Sequence, residues 1–561
     1  MAETLGGINM RMRHKALALL IATIIVLSAF IAVPVTAYAN AAPIVKGTFT
    51  IETFDDYDPG ELDYYYSDRY FSSTGKDVDP HLRTMSAALV FTSQGTSEVP
   101  DETYGKILRN IGFTDIETYD MDHTAMDTMG VVIARKSVGG KDIVAVALRG
   151  DTYELEMASN LIAGAQGDIQ AFADAEVLVE SRVRAYIDQY DIIQAKYWVA
   201  GYSRSGAVAN LFGRALNRDL PGFRTTDDDI YVYTFEAALG SAEDTAYENI
   251  HNIIDLRDTV TYVYPSLWSM YGCGVPDYIG NTDDTITLTS FSLLSDGHVQ
   301  DMGEIKTVDF ISDFMTFLGN NLSRKTYYEK LQAPVSQVAQ IYYSLSKEQR
   351  LAFIEYFNQV FSELKNDNKL IPSLLVALAA PNLKRSAELL ANLIIKHMDQ
   401  VSSTSGKPVS DDEYETVRAA VLPIVSVLLP IAGKDSTASY DFGGARPKSA
   451  PFYHIMTFAG NLDSLFIHHY NYNVFDELTA LDSYYQERID YILGDVDGDG
   501  VVSVIDVTYI QRFIADIEIP FYLEKEVSDV DGDEEVTIID ATFIQRWLVN
   551  LACPEGIGKP V

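Results

Sequence analysis

Cysteine is nearly missing from this chain, which has two, Cys273 and Cys553. That excludes a disulfide framework, and residues so far apart are not expected to pair, so a core and bound metal must hold the fold. Basic residues are short as well: 42 Lys and Arg stand against 80 Asp and Glu, for a formal net charge of −38. A nucleic-acid partner is thereby excluded, since phosphates repel such a surface; a soluble extracellular protein tolerates it. Long apolar runs are scarce too. Residues 419–433 are apolar but short, and Pro423 and Pro430 interrupt them. A buried or lid helix is expected there rather than a membrane span.

The exception is residues 16–33, apolar except for Thr23 and Ser28. Arg11, Arg13 and Lys15 precede the run, and Ala37-Tyr-Ala39 follows it with the small residues that a signal peptidase needs. Residues 1–39 therefore read as a secretory signal peptide. The alternative is an uncleaved anchor, because the run nearly reaches the ~20 residues of a spanning helix; cleavage is expected, leaving no stable membrane span. Residues 1–9 add nothing to such a signal, which makes Met10 an alternative start. The rest of the 561 residues, in a chain that is 47% hydrophobic, is enough for two or three domains with sizeable cores.

The last part of the chain repeats itself. Asp495-Val-Asp-Gly-Asp-Gly-Val-Val-Ser-Val-Ile-Asp506 returns 34 residues later as Asp529-Val-Asp-Gly-Asp-Glu-Glu-Val-Thr-Ile-Ile-Asp540. Each copy runs into a similar helix, Thr508-Tyr-Ile-Gln-Arg512 and Thr542-Phe-Ile-Gln-Arg546. Oxygens at positions 1, 3, 5, 7, 9 and 12 of a twelve-residue loop are what calcium requires. The first set is Asp495, Asp497, Asp499, the Val501 carbonyl, Ser503 and Asp506. The second is Asp529, Asp531, Asp533, the Glu535 carbonyl, Thr537 and Asp540, and two Ca2+ ions are expected. Gly500 fills the sharp turn at position 6; the second copy has Glu534 there, which is expected to weaken that loop. Both loops end in Asp rather than the usual Glu, and neither has a convincing helix before it. This duplicated half EF-hand resembles a dockerin, over residues 494–551. The resemblance implies a cohesin domain of a scaffold protein as partner. Val504, Ile505, Gln511 and Arg512 would contact it, or their twins Ile538, Ile539, Gln545 and Arg546.

Further upstream, Tyr197-Trp-Val-Ala-Gly-Tyr-Ser-Arg-Ser-Gly206 joins a β-rich run to a helical one. Strand, tight turn and helix are the setting of a nucleophile elbow, with Ser203 at the corner and the small residues Gly201 and Ser205 on either side. Ser205 stands where the usual motif has Gly. Around the elbow lie a strand ending in Arg149-Gly150, a helix over about residues 170–188, and the strand Ile230-Tyr-Val-Tyr-Thr-Phe-Glu236. An apolar run from Asn249 then closes on Asp255 and Asp258. Strands alternating with helices predict an α/β fold on a mostly parallel sheet.

These segments, in this order over about residues 82–282, resemble the class 3 lipases, in particular secreted bacterial lipase-like proteins. The resemblance implies an α/β-hydrolase fold with Ser203 as nucleophile, Asp258 as the triad acid and Asp255 as its competitor. It also implies an oxyanion hole built from the backbone N–H groups of Arg204 and Asp151, although an acid at Asp151 is unusual. The histidine must follow Asp258, which leaves His298, His397, His454, His468 and His469. Ile467-His-His-Tyr-Asn471 and the run after it look like the end of such a domain. His469 is therefore expected to complete the triad, with His468 and His298 as rivals and His397 and His454 as surface or packing residues.

Residues 310–450 then form an insertion. Its runs 351–361, 374–380 and 389–395 are apolar enough for packed helices, either a structural cap or a mobile lid. Residues 57–70, rich in Tyr and Asp, read as an extended arm rather than a sugar-binding patch, and residues 440–451 as a loop. The domain plan is a signal at 1–39, a lipase-like domain at 40–490 and a small all-α calcium-binding dockerin at 494–551. The implied function is a secreted, scaffold- or surface-associated carboxylic ester hydrolase acting on lipid or acylated polysaccharide. The alternative is a non-catalytic binding or adhesion module on a decayed hydrolase fold, docked in the same way.

Overall fold

The computed structural model describes residues 44–559 apart from internal stretches, chiefly 52–59, 93–99, 122–128, 150–157, 292–298, most of 344–409, 436–452, 486–491, 497–501 and 518–524. The expected signal at 1–39 lies outside the described residues, as do the apolar runs 351–361 and 374–380, most of 389–395, and the loop at 440–451. Two compact units emerge, Val45–Gln486 and one that includes Glu487–Val561.

The larger unit begins with an antiparallel ribbon, β1 (Val45–Thr50) against β2 (Glu61–Tyr66). A seven-stranded sheet follows: β3 (Thr114–Tyr119), β4 (Val131–Val138), β5 (Lys141–Leu148), β6 (Ala195–Tyr202), β7 (Ile230–Phe235), β8 (Tyr247–Asp255) and β9 (Gly274–Ile279). The strands lie side by side in chain order. β3–β4 and β4–β5 are antiparallel; every pair from β5 to β9 is parallel. The architecture is thus mixed α/β on a mostly parallel sheet.

Burial on both faces explains why these strands read as continuous apolar runs rather than as an alternation. In β6, Tyr197 and Val199 join one core while Trp198 and Ala200 join the other, because successive side chains of a strand point to opposite faces. Helix α1 (Pro80–Phe91) packs in the core of Trp198, whose indole N–H donates to Ser86 Oγ at 2.7 Å. Helices α2 (Gln170–Gln189) and α3 (Arg204–Arg218) supply the opposite core through Phe172, Val179, Val208 and Phe212. The tyrosine-rich arm departs from expectation. Tyr64, Tyr66 and Tyr70 are buried beside Trp198, so this segment is part of the core.

After β9 comes a hairpin that the sequence reading did not anticipate, β10 (Thr285–Phe291) with β11 (Val299–Lys306). Helix α4 (Thr307–Asn321) then packs with α5 (Tyr453–Gly460) through Phe310, Phe314 and Tyr453. Between them the described residues are mainly helical, including Asp411–Ala432, which runs straight through Pro423 and Pro430. Its buried residues Val417, Ala420, Val421, Val425 and Ile431 supply packing that outweighs the hydrogen bonds lost at the prolines. Among the described residues no helix is long and apolar enough to cross a membrane. Helix α6 (Asn471–Leu481) returns to the Trp198 core through Val474, Phe475 and Leu478.

The smaller unit pairs helices α7 (Val504–Ile514) and α8 (Ile538–Leu548) around Val496, Ile510, Val530 and Ile544. Ile557 completes this core, and Gly558 N donates to Leu493 O at 2.8 Å, tying the two ends of the unit together. Cys273 and Cys553 are both free.

Candidate functional site

Ser203 sits at the corner between β6 and α3 with φ 55° and ψ −123°. A non-glycine residue in that region is strained, by about 1–3 kcal/mol, and keeps the conformation only where its surroundings enforce it. Here Ser203 N donates to Phe235 O at 2.8 Å, and Ala207 N donates to Ser203 O at 3.1 Å. The small residues are required. A Cβ on Gly201 would stand 2.4 Å from Ser205 O, and one on Gly206 would stand 2.9 Å from Ala237 Cβ. Ser205, the departure from the usual motif, contributes a bond of its own. Its hydroxyl accepts from Tyr202 N at 2.9 Å and donates to Tyr202 O at 2.8 Å, tying strand to helix. The Ser203 hydroxyl makes no cap bond to its own helix. Arg204 follows at the N-terminus of α3, where the first N–H groups have no intrahelical acceptor and favour negative charge.

His469 comes from the 3₁₀ turn Ile467–His469, just before α6. Its Nε2 lies 2.9 Å from Ser203 Oγ and its Nδ1 lies 2.8 Å from Asp258 Oδ2. A carboxylate only accepts, so Nδ1 carries the proton and Nε2 is left to accept from the serine hydroxyl. Asp258 is fully buried, and its Oδ1 accepts from Val260 N at 2.8 Å. Tyr202 steadies the imidazole: the rings stack with centroids 5.1 Å apart, and the Tyr202 hydroxyl donates to the His469 carbonyl.

The other candidates lie elsewhere. Asp255 closes β8 and is gripped by Arg257, whose Nε donates to its two oxygens at 2.9 and 3.0 Å. His468 leans on the same group, 3.6 Å from Asp255 and 3.5 Å from Asp284, and burial with Arg257 nearby holds it below the usual histidine range. His454 is buried between Asp435 and Asp313, at 2.6 Å from each, as a packing residue. Asp151, His298 and His397 lie outside the described residues.

One neighbour of the site went unrecognised in the sequence reading. Glu236, directly after β7, is fully buried with φ 47°. Its Oε1 accepts from Asp255 N at 2.8 Å. No N–H or hydroxyl reaches its buried Oε2. Burial first, and the Asp258 charge second, raise Glu236 well above the usual carboxylate range. An acid directly after six buried strand residues was the available signal.

In the smaller unit, Asp529, Asp531 and Asp533 each offer an oxygen within 4.8 Å of the others. Burial and the neighbouring Asp540 and Asp533 raise Asp531 above its ordinary value. Asp529 shapes the turn by accepting from Gly532 N at 2.8 Å and Asp533 N at 3.1 Å. Asp506 and Asp540 also cap helices. Their oxygens accept from Val496 and Ser503 N, and from Val530 and Thr537 N, at 2.7–2.9 Å. Among the described residues, the four-residue turn Lys525–Ser528 directly precedes the second loop. Asp497, Asp499, Val501 and Glu534 lie outside the described residues; Asp495, Ser503, Glu535 and Thr537 lie within them.

Residues 493–549 match the dockerin type I domain. The exposed pairs Val504 with Ile505 and Ile538 with Ile539 lie at the two helix starts of this dockerin. No curated protein matches the chain. A solved structure titled "A serine protease triad forms the catalytic centre of a triacylglycerol lipase" is similar at 16% identity. The match covers 36% of this chain and 80% of that one, with a TM-score of 0.30.

Proposed function

We propose that the unit Val45–Gln486 is a serine ester hydrolase of the α/β-hydrolase type, delivered to a scaffold by its dockerin. The observation that carries this reading is His469 bridging Ser203 and Asp258 at 2.9 and 2.8 Å. His469 Nε2 takes the proton of Ser203 as Oγ attacks an ester carbonyl. Asp258 holds the imidazole in the right tautomer and stabilises the imidazolium. The oxyanion is met by the Arg204 N–H at the start of α3, with Asp151 N–H as the proposed second donor. His469 then returns its proton to the leaving alcohol, and water hydrolyses the acyl-enzyme by the same route. Beside the turn that carries Asp258, a cleft of about 330 Å³ is lined by Leu256, Tyr262, Leu267, Val308, Ile311 and Met315 among others. Asp309, Ser312 and Thr316 complete that lining.

Asp529, Asp531 and Asp533, with Asp540, the Glu535 carbonyl and Thr537, are the proposed calcium ligands of the second loop. Asp495, Asp497, Asp499, the Val501 carbonyl, Ser503 and Asp506 serve the first. Held by these residues, calcium would offset their mutual repulsion and so fix the loops on the helix starts. The exposed Val504, Ile505, Ile538 and Ile539 are the proposed face for a cohesin, consistent with a protein outside the cell on a cellulosome-type scaffold. The test is labelling of the purified protein with a fluorophosphonate. Wild type takes one label and Ser203→Ala takes none; a folded wild type that stays unlabelled, with lipid present, refutes acyl transfer.

A further inference from the structure

Three carboxyl groups meet behind the imidazole: Glu236, Asp255 and Asp258, all at 3% exposure or less. Buried carboxylates so close cannot all stay ionised without partners. Asp255 has Arg257. Asp258 has His469. Arg257 is committed to Asp255, Asp284 and Glu477, so it does not serve Glu236. The remaining titratable groups around the cluster are His468, set between Asp255 and Asp284, and Tyr262. None of these gives Glu236 a counter-charge. Its Oε1 is fixed by Asp255 N at 2.8 Å and its backbone N–H by Ile253 O at 3.0 Å, so Oε2 is aimed by two rigid strands.

We propose that Glu236 is a positioning residue of the site, a neutral carboxylic acid that donates a hydrogen bond to Asp258 and so tunes its grip on His469. The balance is simple: the proton stays on Glu236 Oε2 and no bond is exchanged with substrate. With that donor present, part of the Asp258 charge is already met, and the attraction of Asp258 for the His469 imidazolium is moderated. The imidazole then gives up its extra proton at lower pH and is available as a base over a wider range. The donor also locks the Asp258 carboxylate in the plane where Oδ2 meets Nδ1. The catalytic consequence rests on the acyl-transfer reading, whereas the hydrogen bond itself does not.

The experiment compares wild type, Glu236→Gln and Glu236→Leu in the full chain with calcium. Two readouts are taken: the acid limb of the rate of fluorophosphonate labelling against pH, and the titration midpoint of the His469 imidazole by NMR, assigned with His469→Asn. Gln keeps a neutral donor, so its limb and midpoint should stay with those of wild type. Leu removes the donor, so both should move up by about one pH unit, the size of a single hydrogen bond to a charged partner. A downward move in Gln would mean that Glu236 was charged, and it would overturn the proposal. So would a Leu variant that folds and does not move. Should Leu fail to fold, infrared difference spectra of wild type against Glu236→Gln decide. A protonated-carboxyl band at neutral pH that is lost in Gln supports the proposal, and its absence from wild type overturns it. If wild type does not label at all, the acyl-transfer reading fails, while the NMR midpoints still judge Glu236.

Discussion

In the dockerin loop, Asp529, Asp531 and Asp533 bring three carboxylate oxygens within 4.8 Å on a partly open surface. Behind Ser203, an equal number of carboxyl groups is shut away from water, and each is answered by a different internal group. His469 meets Asp258, Arg257 meets Asp255, and on our proposal a proton meets Glu236. The difference follows from solvent. Exposed acids pay little for staying charged and can await an ion from solution, whereas buried acids need a partner built into the fold. One cluster is thus suited to binding a cation, and the other to moving a proton.

Chelation should separate the two clusters most sharply. Removing calcium should abolish cohesin binding, measured on native gels, because ligand repulsion then acts unopposed in the loops. Fluorophosphonate labelling of Ser203 should persist, and its loss would break the comparison. Next in size, Asp258→Asn should lower ester hydrolysis by about 10⁴-fold, since an amide favours the wrong imidazole tautomer. Steady-state kinetics with a soluble ester at neutral pH would check it, and near-normal turnover would remove Asp258 from the triad. The smallest effect concerns His454. Burial lowers its titration, but its bonds to Asp313 and Asp435 outweigh this and raise it above 6.5. The charged ring therefore stabilises the α4–α5 packing fully below that ordinary value, and the contribution is lost as pH rises through the higher folded value. Melting curves between about pH 6 and pH 9 should show wild type losing stability with rising pH, and His454→Gln losing less.

Much of the site was legible because its signals are local. Gly201 and Ser205 flank Ser203 in a turn between a β-rich and a helical run, and Asp258 lies just beyond the apolar run that starts at Asn249. Chain order left five histidines after Asp258, and only the run Ile467-His-His-Tyr-Asn471 singled out His469 among them. Tyr64, Tyr66 and Tyr70 misled, because tyrosine reads equally well as a binding patch, an arm or a core residue. Pro423 and Pro430 argued against a membrane span but not against a helix, and the helix expected there is present. A proline penalty is local, while the packing that overcomes it is not. Glu236 was in plain view but without a role, because its meaning lies in Asp258, a residue beyond another strand.

What the sequence determined by itself is whatever a short stretch of chain can enforce: the repeated acidic loops and their helix starts, the elbow around Ser203, and the strand and helix alternation. Only the tertiary structure decided which histidine meets Ser203, that Asp255 belongs to Arg257, and that Glu236 is buried against Asp255. These depend on angstrom distances between residues far apart in the chain, which periodicity and propensity do not encode.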